Sequence, residues 1–88
     1  MVEQTVTIQN RLGLHARACS VFVKEAAKFA SHIYVVRDGL EVNGKSILGV
    51  MMLAAEMGAR ITLKADGKDE RVALEALVQV VNNKFGEE

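Results

Sequence analysis

The sequence predicts an α+β protein, a two-layer open-faced β-sandwich in which a four-stranded antiparallel sheet carries three helices on one face. The predicted element order is β-α-β-β-α-β-α. Four short segments alternate between apolar and polar residues or are rich in β-branched residues, two longer segments repeat apolar residues at helical spacing, and an uncharged run follows a capping serine. Four strands with one apolar face need cover, and three helices can supply it from one side.

The first half of the chain begins with a strand and a helix. Residues 2–8 alternate, which predicts a strand with one wet face, and residues 10–13 then turn. From Ala16 the period becomes helical, with an apolar stripe of Cys19, Phe22, Val23, Ala26, Phe29 and Ala30. The opposite side of this helix carries Arg17, Ser20, Lys24 and Lys28.

A hairpin and a short helix follow. Asp38-Gly39 is a strong two-residue turn signal between the β-branched run 33–36 and the returning strand 40–42. Ser46 is a good N-cap, and the uncharged run 47–55 after it predicts a helix.

The last strand and helix complete the order. Residues 61–65 alternate again, and a turn leads to Asp69 and Glu70, acids that are favoured where a helix begins. The helix then carries an apolar stripe of Leu74, Leu77, Val78, Val81 and Phe85.

The composition is that of one small globular domain, which we expect to span 1–88. Half of the 88 residues are apolar, and eleven basic residues balance eleven acidic ones, so affinity for nucleic acid is not indicated. A lone cysteine forms no internal disulfide, and neither a signal peptide nor an apolar run of membrane-spanning length is visible. We therefore expect a cytoplasmic protein without direct membrane insertion.

The stretch RLGLHARACS, residues 11–20, places a histidine where the first helix begins. If His15 is the N-cap or precedes the first turn, unpaired backbone amides form an anion site beside it, namely those of Ala16, Arg17 and Ala18. The positive helix end disfavours charge on the ring and keeps it nucleophilic, so His15 can attack a phosphoryl group that Arg17 stabilises. Gly13 permits the turn that exposes the ring. By itself, so short a pattern more often marks a solvated turn histidine.

The uncharged helix has a second chemical meaning. Because it carries no charged residue, some of its apolar side chains stay exposed, and its methionines suit a surface that accepts several partners. The predicted docking residues are Ser20, Val21, Lys24, Ile47, Leu48, Met51 and Met52. Deeper burial of this helix, or its pairing in a homodimer, would explain the same pattern.

Several motifs give the chain a resemblance to a known family. They are GLHAR at 13–17, FV and a later A..F between 22 and 29, KSILGVMMLAA at 45–55 and ADGKDE at 65–70. With this order and spacing, the sequence resembles the HPr family over essentially its whole length. These proteins are the histidine-containing phosphocarriers of the bacterial phosphoenolpyruvate-dependent sugar phosphotransferase system.

The resemblance implies a phosphoryl carrier, a stoichiometric intermediate that is not an enzyme and needs no cofactor. It implies that His15 accepts a phosphoryl group on Nδ1 from phospho-enzyme I and donates it to enzyme IIA domains, while Arg17 stabilises the group. It also implies that Ser46 is phosphorylated by an HPr kinase/phosphorylase in bacteria that possess one, and that a catabolite-control regulator is a further partner. A monomer is expected of a carrier that docks with successive partners.

One residue departs from the family pattern, and alternatives remain open. The family usually has proline after the HAR tripeptide, whereas Ala18 here makes the turn less rigid and adds an amide. The nitrogen-regulatory branch shares the histidine motif, so both branches remain open, as does a regulatory binding module governed by Ser46. A small acylphosphatase-like hydrolase is a third hypothesis, which leaves the Ser46 helix without a purpose.

The remaining polar candidates have structural interpretations. His32 begins a strand without a nearby ligand partner, and Cys19 lies on a buried stripe, where a packed, inert thiol is expected. The acids Asp66, Asp69 and Glu70 could attract a metal, but turn and capping chemistry accounts for them. We therefore predict no metal site.

Overall fold

The computed structural model describes residues 1–87 and confirms the predicted element order. Its strands are β1 (Val2–Thr7), β2 (His32–Arg37), β3 (Leu40–Asn43) and β4 (Arg60–Asp66). Its helices are α1 (Ala16–Ala26), α2 (Ile47–Met51) and α3 (Glu70–Asn82), and a 3₁₀ turn over Lys84–Gly86 follows α3. No helix within residues 1–87 combines the length and apolar composition that a membrane span requires.

The four strands form one antiparallel sheet in the order β1-β4-β2-β3. Apolar residues that alternate along the strands meet on one face, since Val6 pairs with Ile61 and Val35 with Leu63, and all four are buried. The polar face is wet, as predicted. Register is fixed because a slip of one residue would turn the apolar set outward.

The three helices cover the apolar face of the sheet, which confirms the predicted two-layer sandwich. α3 packs on β1 and β4, and α1 packs between α3 and α2. Phe22 of α1 and Leu77 of α3 are each 1 % exposed. Burial of such a side chain contributes on the order of 1.5–3 kcal/mol, so the amphipathic stripes hold the layers together.

The second helix is shorter than predicted, because α2 ends at Met51 and not at residue 55. Leu53 and Ala55 are buried from an irregular segment after α2, and Ala54 between them has a left-handed φ of 48°. The Arg37 guanidinium donates to the carbonyls of Leu53 at 3.0 Å and Ala54 at 2.9 Å. These contacts from β2 satisfy carbonyls near the helix end and hold the irregular backbone.

Two apolar stripes continue beyond their helices, which corrects the predicted boundaries. α1 ends at Ala26, so Phe29 packs on the core from the following turn and Ala30 is exposed. α3 ends at Asn82, and Phe85 is buried from the 3₁₀ turn with a left-handed φ of 55°. Helical spacing in the sequence correctly predicted that the two phenylalanines pack on the core. It did not predict that they lie in turns after the helices.

Asp69 occupies the N-cap position of α3 without capping that helix through its side chain. Its carboxylate instead accepts the amides of Ala30 at 2.9 Å and Ser31 at 3.0 Å, together with the Ser31 hydroxyl. Donation from the Ser31 hydroxyl is the main cause that lowers the pKa of Asp69. The prediction that capping chemistry explains this acid was therefore wrong, since Asp69 ties the loop before β2 to the start of α3.

Candidate functional site

His15 lies at the N-cap of α1, as predicted, with an extended backbone at φ −77° and ψ 174°. Its carbonyl accepts the Cys19 amide at 2.9 Å. The first amides of α1 have no acceptor within the helix, because no residue precedes them by one turn. The His15 side chain keeps 24 % of its surface exposed. A reachable imidazole therefore stands at the amide end of a helix.

The three residues whose amides are predicted to bind an anion differ in exposure. Ala16 and Arg17 are exposed, whereas Ala18 is 1 % exposed. Ala18 therefore packs into the core, and Ala16 and Arg17 form the surface of the first helical turn.

Gly13 holds the turn before His15 and is required there for two reasons. Its φ is +66°, and a Cβ at this position would lie 2.5 Å from the backbone oxygen of Ala55. The same oxygen accepts the Leu14 amide at 2.9 Å. The irregular segment after α2 thus supports the loop that carries His15, a function that the sequence did not reveal.

Asn10 fixes the other side of this loop. It is 0 % exposed, and its side-chain Nδ2 donates to the Gly13 carbonyl at 2.8 Å, while the Gly13 amide donates to the Asn10 carbonyl at 3.2 Å. Within residues 1–87 the buried Asn10 Oδ1 has no hydrogen-bond partner. The reciprocal bonds clamp the turn three residues after the strand end.

Glu87 brings a carboxylate to His15 from 72 residues along the chain, and the sequence analysis did not identify it as a site residue. Its Oε2 contacts the His15 Nε2, and its Oε1 accepts Asn10 Nδ2 at 2.9 Å. The area around His15, which is near the basic residues Arg11 and Arg17, therefore also contains an acid. The only sequence signal was Gly86, which permits a turn after the last helix.

Donation from Asn10 is the largest cause that lowers the pKa of Glu87. The contact with His15 and the charge of Arg17 lower it further, whereas desolvation opposes them. Because the pKa is lower in the folded chain, the stability it contributes is present above the unfolded pKa. That contribution is lost as the pH falls through the folded value.

Arg17 is exposed and lines a surface depression together with Arg11, Leu12 and Glu87. Two arginines and Glu87 therefore border one open hollow, and Glu87 connects it to the His15 ring, which is not itself part of the lining. Guanidinium groups bind phosphate oxygens through paired hydrogen bonds. The hollow can admit a phosphoryl group that approaches from another protein.

Ser46 caps α2 as predicted, and its Oγ accepts the Gly49 amide at 3.1 Å. The serine is half-buried, so its hydroxyl is not sealed in the core. The helix behind it lies at the surface, with Leu48 75 % and Met52 68 % exposed, and Ile47 and Met51 exposed as well. Deeper burial of this helix, one of the alternatives to docking, is therefore wrong.

The predicted docking residues of α1 lie beside different neighbours. Val21 is exposed and borders a groove against α3, which Val80 and Phe85 also line. Lys24 is exposed and Ser20 half-buried. Because α1 also packs on α2, the predicted docking residues of the two helices lie on neighbouring elements.

Cys19 is fully buried, and its Sγ lies 3.4 Å from the Leu14 carbonyl oxygen. Burial raises the pKa of its thiol to about 11. The neutral thiol thus stabilises the fold below the unfolded pKa near 9.0, and this contribution is lost as the pH rises through about 11. The expected packing of this thiol is confirmed, and its inertness stays a prediction.

We expect Cys19 to resist a thiol reagent at about pH 8 in the native state, because only the thiolate reacts. The reaction should be about a hundredfold slower than in denaturant, where the thiol is exposed and more of it is ionised. Absorbance with a disulfide reagent, with and without urea, measures this. Equal rates in the two conditions would contradict the assigned burial.

The other titratable candidates lie away from this site. His32 begins β2, is exposed, and stacks on Tyr34 with ring centroids 6.3 Å apart. Within the described residues 1–87, no three histidine, cysteine, aspartate or glutamate side chains are grouped to hold a metal ion.

The chain is similar to known proteins throughout its length. A family model described as "PTS HPr component phosphorylation site" matches residues 2–83. The phosphocarrier protein HPr of Neisseria meningitidis is 48 % identical over 87 residues, which cover 99 % of this chain and 98 % of that protein. The HPr-like protein Crh of Bacillus subtilis is 46 % identical over 92 % of this chain and 95 % of its own. A crystal structure of HPr from Thermoanaerobacter tengcongensis superposes with a TM-score of 0.96 at 48 % identity, covering 100 % of this chain and 99 % of that one.

Proposed function

Because this chain belongs to the HPr family of phosphocarrier components, we propose that it accepts a phosphoryl group from phospho-enzyme I on His15 and passes it to enzyme IIA domains of sugar transporters. The observation that carries the proposal is the partly exposed His15 imidazole at the N-cap of α1. We propose that the transfer takes place in the cytoplasm and that the protein acts as a monomer. It is a stoichiometric intermediate, and the transfer needs no cofactor.

The transfer is a nucleophilic displacement at phosphorus. The lone pair on Nδ1 of His15 attacks the phosphorus atom, and the bond from phosphorus to the donor atom of phospho-enzyme I breaks with its electron pair returning to the donor. The free amides of the first helical turn, at the exposed residues Ala16 and Arg17, and the Arg17 guanidinium compensate the phosphoryl charge. Nδ1 is bonded to Cγ and so lies nearer the main chain than Nε2, which favours this nitrogen for a group that contacts helix amides.

A labelling experiment tests this function. The purified chain is incubated with radioactive phosphoenolpyruvate and enzyme I from the sugar branch, and in parallel with enzyme I from the nitrogen branch. We expect roughly one phosphoryl group per chain, labile in acid and stable in alkali, as a phosphohistidine is. Failure with every enzyme I tested would refute the proposal, and preference for the nitrogen-branch enzyme would reassign the branch.

We propose that Ser46 is a regulatory phosphorylation site for an HPr kinase/phosphorylase in a bacterium that has one. Its place at the α2 N-cap supports this, because a phosphate there is compatible with the helix start. The added charge would stand next to the exposed apolar residues Ile47 and Leu48. Helix formation then survives while docking of enzyme I is weakened.

The Ser46→Asp variant separates these two effects. Aspartate remains a good N-cap, so stability should stay within about 0.5 kcal/mol, whereas Ser46→Ala should lose about 1 kcal/mol. The concentration of the aspartate variant that gives half the maximal rate of phosphorylation by enzyme I should be about tenfold higher than that of the parent chain. The reason is that a charge enters an apolar contact. Initial rates and urea unfolding measure both effects. An unchanged rate for Ser46→Asp would exclude α2 from the contact with enzyme I.

A regulatory binding module is the second candidate, favoured by the 46 % identity to the HPr-like protein Crh. In that case phosphorylated Ser46 controls a catabolite-control regulator, independently of His15. A Ser46→Asp change in a His15→Ala background would then alter binding to the regulator. Unchanged binding in that background would contradict the regulatory module and leave the phosphocarrier function as the remaining hypothesis.

A further inference from the structure

Glu87 reaches His15 through an unusual turn after α3. Lys84, Phe85 and Gly86 are three consecutive residues with left-handed φ values of 58°, 55° and 80°. Such backbone at two non-glycine residues persists only where the surroundings hold it, and it concentrates at functional sites. Burial of Phe85 to 4 % exposure holds it here, together with hydrogen bonds from Gly86 to Asn83 at 3.0 Å and from Glu87 to Lys84 at 2.9 Å.

The turn delivers a carboxylate both of whose oxygens have partners. Oε1 accepts a hydrogen bond from Nδ2 of the fully buried Asn10 at 2.9 Å, and Oε2 is hydrogen-bonded to Nε2 of His15. The same Asn10 amide donates to the Gly13 carbonyl in the turn before His15. Glu87 is therefore aimed by a group that belongs to the His15 loop, so its position against the ring is fixed from both sides.

We propose that Glu87 is a positioning residue that keeps the proton of His15 on Nε2 and thereby presents the Nδ1 lone pair to the phosphoryl donor. This inference rests on the phosphocarrier function proposed above. A carboxylate can only accept a hydrogen bond, so a ring nitrogen bonded to it must carry the proton. Among residues 1–87, no group is hydrogen-bonded to Nδ1, which leaves that nitrogen available.

The carboxylate also has a role during transfer. When Nδ1 forms its bond to phosphorus, Nε2 keeps its proton, and the ring becomes a positively charged phosphoimidazolium. The Glu87 carboxylate compensates that charge, as the carboxylate partner of a catalytic histidine does in a hydrolase triad. On onward transfer, the electron pair of the bond to phosphorus returns to Nδ1, and the original tautomer is restored without movement of the Nε2 proton.

The variants Glu87→Ala and Glu87→Gln test this role, with Glu75→Gln as the matched control. Glu75 is an exposed acid on α3, and within residues 1–87 it takes part in no ion pair. We expect Glu87→Ala to be phosphorylated by enzyme I about tenfold to a hundredfold more slowly, the size of one hydrogen bond to a charged group. Glu87→Gln has one acceptor oxygen for two donors and no charge, so it should be slowed to a similar degree, and Glu75→Gln should match the parent chain.

Nitrogen NMR of the His15 ring provides a readout that a purely structural role would not move. In the parent chain with a neutral ring, Nε2 should give the signal of a protonated nitrogen and Nδ1 that of an unprotonated one. In Glu87→Ala and in Glu87→Gln the two signals should shift toward each other as the tautomers mix, because neither variant offers acceptor oxygens to both Asn10 Nδ2 and His15 Nε2. This measurement needs no enzyme I and also reports whether each variant is folded.

The outcomes separate the two proposals. If the parent chain is labelled and Glu87→Ala is labelled equally fast, or faster, with unchanged ring signals, the positioning role is refuted and the phosphocarrier function stands. If the parent chain is never labelled, the proposed function fails, even where the ring signals show that Glu87 fixes the tautomer.

Discussion

Replacement of His15 by alanine should abolish phosphorylation by phosphoenolpyruvate and enzyme I, with a loss of about a thousandfold or more in rate. The reason is that alanine has no atom that can form a bond to phosphorus. The His15 side chain makes no capping hydrogen bond, so α1 should persist. The lost contact with Glu87 is partly exposed, and the free energy of unfolding should therefore change little.

His32→Ala is the matched control, because His32 is the other histidine of the chain and lies exposed at the start of β2. It should be labelled as fast as the parent chain, with the same stability in acid and alkali. Residual acid-labile label on a folded His15→Ala chain would place the acceptor elsewhere. Loss of label from His32→Ala would have the same meaning.

Gly13→Ala should damage both the fold and the transfer. The new Cβ would lie 2.5 Å from the Ala55 oxygen, a backbone atom that cannot rotate away, and φ at this position is +66°. The turn or the segment after α2 must shift, which weakens the bond from Leu14 to Ala55. We expect a loss of about 2–4 kcal/mol in the free energy of unfolding. Phosphorylation should slow by at least about tenfold, because His15 is displaced from its position at the helix start.

Gly58→Ala separates the collision from the backbone preference. Gly58 also has a left-handed φ, +92°, but no atom lies within 4 Å of its added Cβ. It should therefore lose only about 1–2 kcal/mol and keep the parent rate of phosphorylation. Urea unfolding and initial labelling rates compare the two variants. Equal losses in both would show that the contact with Ala55 does not constrain the His15 loop.

Local signals in the sequence were sufficient for the elements and for half of the site. Alternation along the strands, the Asp38-Gly39 turn and the capping residues His15 and Ser46 all depend on neighbours a few residues away, and the structure confirms each. The predicted helix ends were wrong where a residue distant in the sequence determines the backbone. Arg37 holds the backbone after α2, and Phe85 finds the core from a left-handed turn.

What the sequence determined by itself is the alternation of strands and helices and a histidine at the open end of one helix, because both follow from short-range periodicity and capping. Only the tertiary structure decided the strand order, the support of Gly13 by Ala55, and the arrival of Glu87 at the His15 ring. The physical reason is that these contacts join residues far apart in the chain. Their energies depend on how the layers pack, and no pattern among neighbouring residues encodes them.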